Sequence, residues 1–367
     1  MHHIPEKMIS KKVCIIGGGI AGLATGIYLT RAGFDVVICE RSPQIGHGGY
    51  AFLLLENGLS VLEHLGLMDE IRKQGDEISQ IILHNENGLT INKSTLQDAF
   101  CIRRTKLCNI LSNLLLPNQL LTNHHFSHFL YDSHGFATDA CFLNGEKISA
   151  DFFIGADGTR SKIRDLIDPE FRIPAVRIKE LVSSLKMPPP LNHTLVKFQH
   201  SQGGLAAGYV PIGKDYVNWY IQFDSQLWEA NELSDKRQLA HELIGHFPEP
   251  FSTFIKDTDF NHSHLWNTSN MEVLPKFYDK NMLIIGDAAH TFSPFSSQGV
   301  NTALEDAYAL YHSLMEFGDL QSCPKSYSEN RIPSLNSFMK AGQDMINSFL
   351  VPDSKPFIPL AIQASAV

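Results

Sequence analysis

Three glycines at one spacing, Gly17, Gly19 and Gly22, and a carboxylate at Glu40 are the residues of this chain best suited to hold a dinucleotide. They fall in VCIIGGGIAGLATGIYLTRAGFDVVICERS, residues 13–42, which opens on an apolar run. Gly17 permits a tight turn, Gly19 lets the backbone approach a pyrophosphate, and Gly22 lets a helix pack close to the preceding strand. Ala21 opens a helical spacing that runs to Ala32, with Leu23, Ile27 and Leu29 on the face toward a sheet. Glu40 lies 18 residues past Gly22. An acid there accepts hydrogen bonds from an adenosine ribose and repels a 2′-phosphate. The residues alone therefore specify FAD or NAD at this site, and not NADP.

Two further stretches place a carboxylate at the end of an apolar strand. In FFIGADGTRSKIR, residues 152–164, Asp157 can accept backbone or hydroxyl hydrogen bonds. Taken alone it reads as an Asp-Gly turn before a basic helix start. In LIIGDAAHTFSPFSSQGVNTALEDA, residues 283–307, Gly286 and Asp287 end the strand. Pro294 and a Ser-Ser-Gln-Gly run then lead into a helix. Its free N–H groups can receive an anion or a polarised carbonyl. The plainer alternative is an ordinary helix start capped by Asn301 or a nearby serine.

The elements that carry these residues follow from periodicity. Val13–Ile16 and Val36–Cys39 read as buried parallel strands. Helices are expected over Leu59–Leu67, over Thr105–Leu116 with Leu107, Leu111 and Leu114 inward, and over Thr302–Leu314. Ile78–Leu83 and Leu89–Asn92 read as strands around an Asn-Glu-Asn-Gly turn. Further strands are expected over Phe126–Tyr131, Ala137–Phe142 and Phe152–Ile154. From Thr194 to Phe223 the pattern becomes extended and aromatic, with turns at Gly203-Gly204 and Gly213-Lys214-Asp215. That is the signature of an antiparallel sheet inserted between two stretches of parallel α/β character.

Composition narrows the function classes. The chain has 367 residues, 43% hydrophobic and 19% charged, with a net charge of -9. It has length for two cores and no general attraction for nucleic acid. No apolar run approaches the roughly 20 residues that span a bilayer. The N-terminus lacks the apolar segment of a signal peptide, so a cytoplasmic location is expected. Six cysteines occur without a CxxC, and Cys14 and Cys39 sit in expected strands as small hydrophobes. No disulfide framework follows. His124, His125 and His128, and His262 and His264, read as surface or strand histidines, so no metal site is expected.

Together the motifs resemble the FAD-dependent monooxygenases typified by para-hydroxybenzoate hydroxylase, the group A aromatic hydroxylases. The resemblance rests on the glycine fingerprint with Glu40, on DGxxSxxR at Asp157, Gly158, Ser161 and Arg164, and on GDAAH…P…QGxN. R-x-x-L-x-x-x-L at Arg104, Leu107 and Leu111 is a fourth match. It implies an α/β fold: a Rossmann-like FAD-binding domain with an inserted, mainly antiparallel β-sheet substrate domain and a C-terminal helix. Residues 10–77, 101–176 and 275–330 are assigned to the first, 78–100 and 177–274 to the second, and 331–367 to a C-terminal helical segment. No long additional domain is expected after Leu350.

The resemblance also implies roles. Gly17, Gly19, Ala21 and Gly22 would approach the FAD pyrophosphate, with Glu40 and Arg41 at the ribose. Arg104 would reach the phosphate or ribityl region, as would Gly286 and Asp287. Asp157 belongs to a segment linked with FAD and with the pyridine nucleotide. Pro294 would lie beside the isoalloxazine, with Gly299, Val300 and Asn301 at its N1 and C2 carbonyl. One departure stands out: Ser297 occupies a position where many members have glycine, which would make the loop less free to move. The implied activity is NAD(P)H-dependent hydroxylation of an aromatic or polycyclic small molecule by O2, through a flavin C4a-hydroperoxide. A reductase or dehydrogenase of the same fold, and a flavin-carrying binding protein that sequesters an aromatic compound, are the alternatives. Phe198, Tyr209, Trp219, Tyr50 and Phe295 are candidates for the substrate pocket wall, with core packing the plainer role for each. No residue can be named as catalytic base. With only one glycine fingerprint, NADH or NADPH would bind transiently in a surface groove. Arg160, Lys162 and Arg164 form the nearest basic cluster.

Overall fold

The computed structural model describes residues 11–46, 51–174, 176–213, 215–228, 235–320 and 322–351. β1 (Lys12–Ile16) and β2 (Asp35–Cys39) pair in parallel, Val13 opposite Val36. α1 (Ile20–Arg31) crosses between them and is buried from Ile20 to Leu29. A helix apolar on all sides must be enclosed on all sides.

β3 (Ala51–Leu54), α2 (Glu56–His64) and α3 (Met68–Gln74) come next. The helix expected over 59–67 starts and ends three residues earlier, as α2: Gly66 takes φ +78 and returns its N–H to Glu63, which ends it before α3 begins. β4 (Asp76–Glu77), then β5 (Gln80–Asn85) and β6 (Thr90–Thr95), a hairpin around residues 85–88, lead to β7 (Phe100–Arg103). β7 pairs with β3 and β4 in a small antiparallel sheet. α4 (Arg104–Ser112) buries Leu107 and Leu111. Leu114 falls beyond its C-cap, Asn113, and is 37% exposed, not inward. β8 (Leu120–Leu121) pairs with β2. β9 (Phe126–Tyr131), β10 (Ala137–Phe142) and β11 (Lys147–Ser149) form an antiparallel meander. β12 (Phe152–Gly155) then returns beside β1, in parallel, ahead of α5 (Lys162–Ile167).

β13 (Ile178–Leu185), β14 (Thr194–Gln199), β15 (Leu205–Pro211) and β16 (Val217–Asp224) precede α6 (Lys236–Ile244) and α7 (Phe251–Asp257). β17 (His264–Asn267), β18 (Tyr278–Asp279), β19 (Met282–Ile284), α8 (Gln298–Phe317) and α9 (Cys323–Leu350) complete the described chain. α8 begins four residues before the expected Thr302, so residues 299–301 are its first turn.

The main sheet runs β18-β19-β12-β1-β2-β8, parallel except at β18. The second, seven-stranded sheet runs β17-β13-β16-β15-β14-β5-β6 and is antiparallel except between β5 and β14. The chain enters it twice, at β5–β6 and at β13–β17. Side chains alternate across a sheet, so its two faces differ. Phe198, Tyr209, Trp219 and Phe223 point to one face and pack on Phe251 and Phe254 of α7. Lys197, Glu180, Gln222 and Ala206 lie on the other, with Phe295 and the end of α9 against it. Among the described residues no helix is long and apolar enough to cross a membrane.

Candidate cofactor and active site

The glycine turn is built between the ends of β1 and β12. Gly17 takes φ +117, and a Cβ there would overlap the carbonyl of Ala156. A Cβ at Gly22 would overlap the carbonyl of Gly17. Both positions are closed to any side chain. Gly19 is different: nothing lies within 4 Å of where its Cβ would stand. Gly19 is also the N-cap of α1, without a side-chain cap and with no acid in the first turn. Uncapped N–H groups facing open space make an anion site. Ala21 lies in that first turn.

Glu40 is fixed from two sides. Gly18 N donates to its Oε2 at 2.7 Å and Ser42 N to its Oε1 at 2.8 Å. Each oxygen keeps a lone pair for a ribose hydroxyl. Arg41 beside it is exposed.

Asp157 follows Ala156 and so sits against the glycine turn. Its Oδ2 accepts from Lys162 N at 2.9 Å, while Oδ1 is buried without a partner. Burial raises its carboxyl above the ordinary range, against hydrogen bonds from Ser161 and the backbone. Arg104, first residue of α4, has a buried Nε without a partner. Its charge is felt at Asp287 and, together with that of Glu40, at the Cys108 thiol. Asp287 is exposed to solvent, yet the protein around it raises its carboxyl pKa, with His290 and Arg104 opposing. A side chain that water reaches but protein surrounds is the wall of a cavity. A Cβ on Gly299 would meet only Asp287 Oδ1, at 3.9 Å.

The start of α8 completes the site. Pro294–Ser296 is a short 3-10 turn, and Ser297 then takes φ +53 as N-cap, with no side-chain cap. That left-handed conformation explains why glycine suits the position; serine holds it here at some strain. Val300 is buried behind the open edge at Gly299. Asn301 is not the cap. Its Nδ2 donates to Leu53 O at 3.0 Å and to Ser297 O at 2.7 Å, and its Oδ1 accepts from Leu55 N at 3.0 Å. It clamps β3 to the helix. Gln298 is buried, accepts from Asn57 at 3.0 Å, and leaves Nε2 without a partner.

Beneath the turn lies a network that the motifs did not announce. Asp306 accepts from Gly286 N at 2.8 Å, from His290 Nε2 at 2.6 Å and from Arg331 Nε at 2.9 Å. Although burial opposes it, the His290 and Arg331 charges hold its carboxyl far below the usual range. One signal was available: Asp306 is one helical turn from both Thr302 and Leu310, on the buried side of α8.

Other expectations change. Phe198, Tyr209 and Trp219 face α6 and α7 and are core, because strand alternation turns them away from Phe295. Phe295 does face the polar side of the sheet. Tyr50 lies outside the described residues. Of the basic cluster at Arg160, Lys162 and Arg164, only Arg164 leaves the surface. Arg164 is buried and donates to Thr159 O at 2.8 Å and Ala288 O at 3.4 Å, and Lys162 Nζ donates to Phe126 O at 3.2 Å. Arg160 and Lys162 are exposed, and Arg164 alone is not.

The unpartnered Arg104 Nε, Asp157 Oδ1 and Gln298 Nε2, with open space at Gly19 and Gly299, are what a flavin dinucleotide would satisfy. Fold and site together define a dinucleotide-binding flavoprotein. The chain belongs to the FAD binding domain family, whose model matches residues 10–340. It is 27% identical over 314 residues to Monooxygenase 1 of Arabidopsis thaliana, covering 82% of this chain and 78% of that one. It is 27% identical to 3-hydroxybenzoate 6-hydroxylase of Klebsiella oxytoca, covering 88% and 84%. The structure of Klebsiella pneumoniae HpxO complexed with FAD and uric acid matches with TM-score 0.83 at 17% identity, covering 94% of this chain and 90% of that one, a likeness of fold. The protein is an oxidoreductase, an FAD-dependent monooxygenase of the para-hydroxybenzoate hydroxylase type.

Proposed function

We propose that the chain uses FAD, NAD(P)H and O2 to hydroxylate a small aromatic or polycyclic compound held between the start of α8 and the polar face of the seven-stranded sheet. The observation that carries this reading is the open, uncapped start of α8 at Gly299, beside the Asp287 carboxylate. When bound, FAD supplies the activation of O2 and the transfer of one oxygen atom, the other leaving as water.

The residues have separate tasks in this reading. The start of α1 receives the pyrophosphate at Gly19, and Glu40 accepts from the ribose hydroxyls. Arg104, Asp157 and Asp287 hold the middle of the dinucleotide. The N–H groups of Gly299 and Val300 stabilise negative charge at the edge of the reduced ring without a side-chain base. Pro294 and Phe295 close the ring face toward the sheet and exclude water. The reductant has no fingerprint of its own and binds transiently, so its access to the ring is open to control by bound substrate.

Screening aromatic compounds for stimulated NAD(P)H oxidation under 18O2, with mass analysis of the products, tests the reading. The expected result is a product carrying one 18O and oxidation raised at least about tenfold by its substrate, or about 1.4 kcal/mol of barrier. Oxidation that yields only hydrogen peroxide with every compound would make the protein a reductase. Tight aromatic binding without flavin reduction would make it a binding protein.

A further inference from the structure

We propose that Arg331 of α9 is a positioning residue of the cofactor site: through Asp306, and through Glu305 and Asn57, it fixes the places of the Asp287 carboxylate and of the N–H groups at the start of α8. The inference rests on the cofactor site assigned above and adds the residue that holds its two halves in register. Arg331 belongs to none of the cofactor motifs.

The first branch leads to Asp287. Arg331 Nε donates to Asp306 Oδ1 at 2.9 Å, and the other oxygen of that carboxylate accepts from Gly286 N at 2.8 Å and from His290 Nε2 at 2.6 Å. Gly286 and His290 bracket the turn that carries Asp287, and the His290 N–H returns to Gly286 O at 2.9 Å. Gly286 takes φ +58, and a Cβ there would stand 2.8 Å from that of Ala21, in the first turn of α1. The turn is therefore wedged between the start of α1 and Asp306. Of residues 286–290, Asp287 alone is exposed.

The second branch leads to the helix start. Arg331 Nη2 donates to Thr302 O and to Glu305 Oε2, each at 3.4 Å. Glu305 Oε2 accepts from Asn57 Nδ2 at 3.1 Å, and the same amide donates to Gln298 Oε1 at 3.0 Å. Gln298 is the first residue of α8 and precedes Gly299. One guanidinium thus ties the turn after β19 to the first turn of α8, the two segments assigned to the flavin half of one ligand.

Stability alone is a poor reason for such a network. Arg331 and Asp306 are 4% and 0% exposed, and a buried ionic network serves stability no better than apolar residues of the same volume. What it supplies is direction. The fork of a guanidinium holds several acceptors at set angles, which an ammonium does not do. A ligand site works only while its groups stand within about 0.5 Å of their places, so the side chains that lock them from behind are part of the site.

The test compares FAD affinity and the flavin midpoint potential, read on the FAD-loaded protein below the unfolding temperature of each variant. Arg331→Met should weaken oxidised FAD at least about tenfold. Reduced FAD, whose negative charge faces the start of α8, should lose about tenfold more, so that the midpoint potential falls by about 30 mV for this two-electron couple. Arg331→Lys keeps the charge without the fork and is the second variant should the first not fold. It should shift both readings in the same direction. Trp219→Phe, destabilised in the core on the helix side of the second sheet, is the control and should keep the parent's affinity and potential. In a double-mutant cycle, Arg331→Met and Asp287→Asn should together cost less FAD affinity than the product of their separate losses, because a carboxylate that is gone needs no positioning. The parent's affinity and potential in folded Arg331→Met or Arg331→Lys would overturn the inference. So would equal shifts in Trp219→Phe, which would make them a consequence of stability. The cofactor site fails separately: Asp287→Asn and Gly299→Leu that bind FAD as the parent does would count against it, whatever Arg331 does.

Discussion

The cofactor cleft and the polar sheet face are built from different materials. At the glycine turn and the start of α8, the surface offered to a ligand is mostly backbone: uncapped N–H groups at Gly19 and Gly299, with carboxylates at the strand ends. On the sheet the surface is side chain: a lysine, an amide and a glutamate from three strands, set by register. Backbone sites depend on a few obligatory residue types at short spacing. Side-chain sites depend on which face a strand turns outward, and a slip of one residue would exchange the two faces completely. One region therefore rests on backbone and residue type, the other on strand register.

Substitutions can break that contrast. The largest effect is expected at Gly22, where a side chain must overlap the Gly17 carbonyl. Gly22→Val should purify without flavin or fail to fold, as read from absorbance at the flavin band and from circular dichroism. A normal flavin content would show that the turn tolerates what its geometry forbids.

Next comes the network beneath the cleft. Arg331→Met leaves buried Asp306 and half-buried Glu305 without their guanidinium, a loss of about 3–5 kcal/mol in thermal or denaturant unfolding. The pH dependence has a definite sign. Asp306 is depressed by His290 and Arg331, so its stabilisation is present above the unfolded carboxylate pKa and is lost as pH falls through its folded value. Asp306→Asn should be less stable than the parent at neutral pH, and the gap should narrow in strong acid. A constant gap would separate Asp306 from the acid sensitivity.

A smaller effect tests the assignment of the two sheet faces. Trp219 is fully buried on the helix side and donates to Thr258 Oγ1 at 3.0 Å. Trp219→Phe should cost about 2 kcal/mol and leave flavin content and ligand Kd unchanged. A changed ligand Kd would return the aromatic face to the active site. The smallest effect belongs to Ser297. Relief of its left-handed strain by Ser297→Gly is partly offset by the entropy of the unfolded chain. A gain of about 0.5 kcal/mol is expected in apo-protein unfolding, and a clear loss would give the hydroxyl a role of its own.

The cleft was legible in the sequence because its residues are near neighbours along the chain. Gly17 to Glu40 is one strand-helix-strand unit, and Asp287 and Gly299 stand at the two ends of the single connection from β19 to α8. The roles of Asn301 and Asp306 were not legible. Leu53, the partner of Asn301, is 248 residues away, and Arg331, the partner of Asp306, belongs to a different helix, α9, whose packing against α8 no motif announces. The sheet face was misjudged for a related reason. Phe198, Tyr209 and Trp219 draw attention as aromatics, yet alternation places them together on the helix side. Lys197, one residue from Phe198, faces the other way. Charge in the middle of an apolar strand was the available signal. Arg164 shows the reverse case: a basic segment suggested an exposed cluster, but this arginine is drawn inward to the Thr159 and Ala288 carbonyls.

The central claim is that the flavin ring edge is held by backbone at the start of α8. Gly299→Leu tests it most directly, because nothing but Asp287 Oδ1 lies near that position in the protein itself. The apo-variant should unfold at the parent's temperature. FAD retention, measured by fluorescence titration of the apo-protein, should fall at least about tenfold, near 1.4 kcal/mol, and any flavin retained should be reduced more slowly by NAD(P)H. Unchanged FAD affinity together with an unchanged anaerobic reduction rate would contradict the claim and move the ring edge away from this helix.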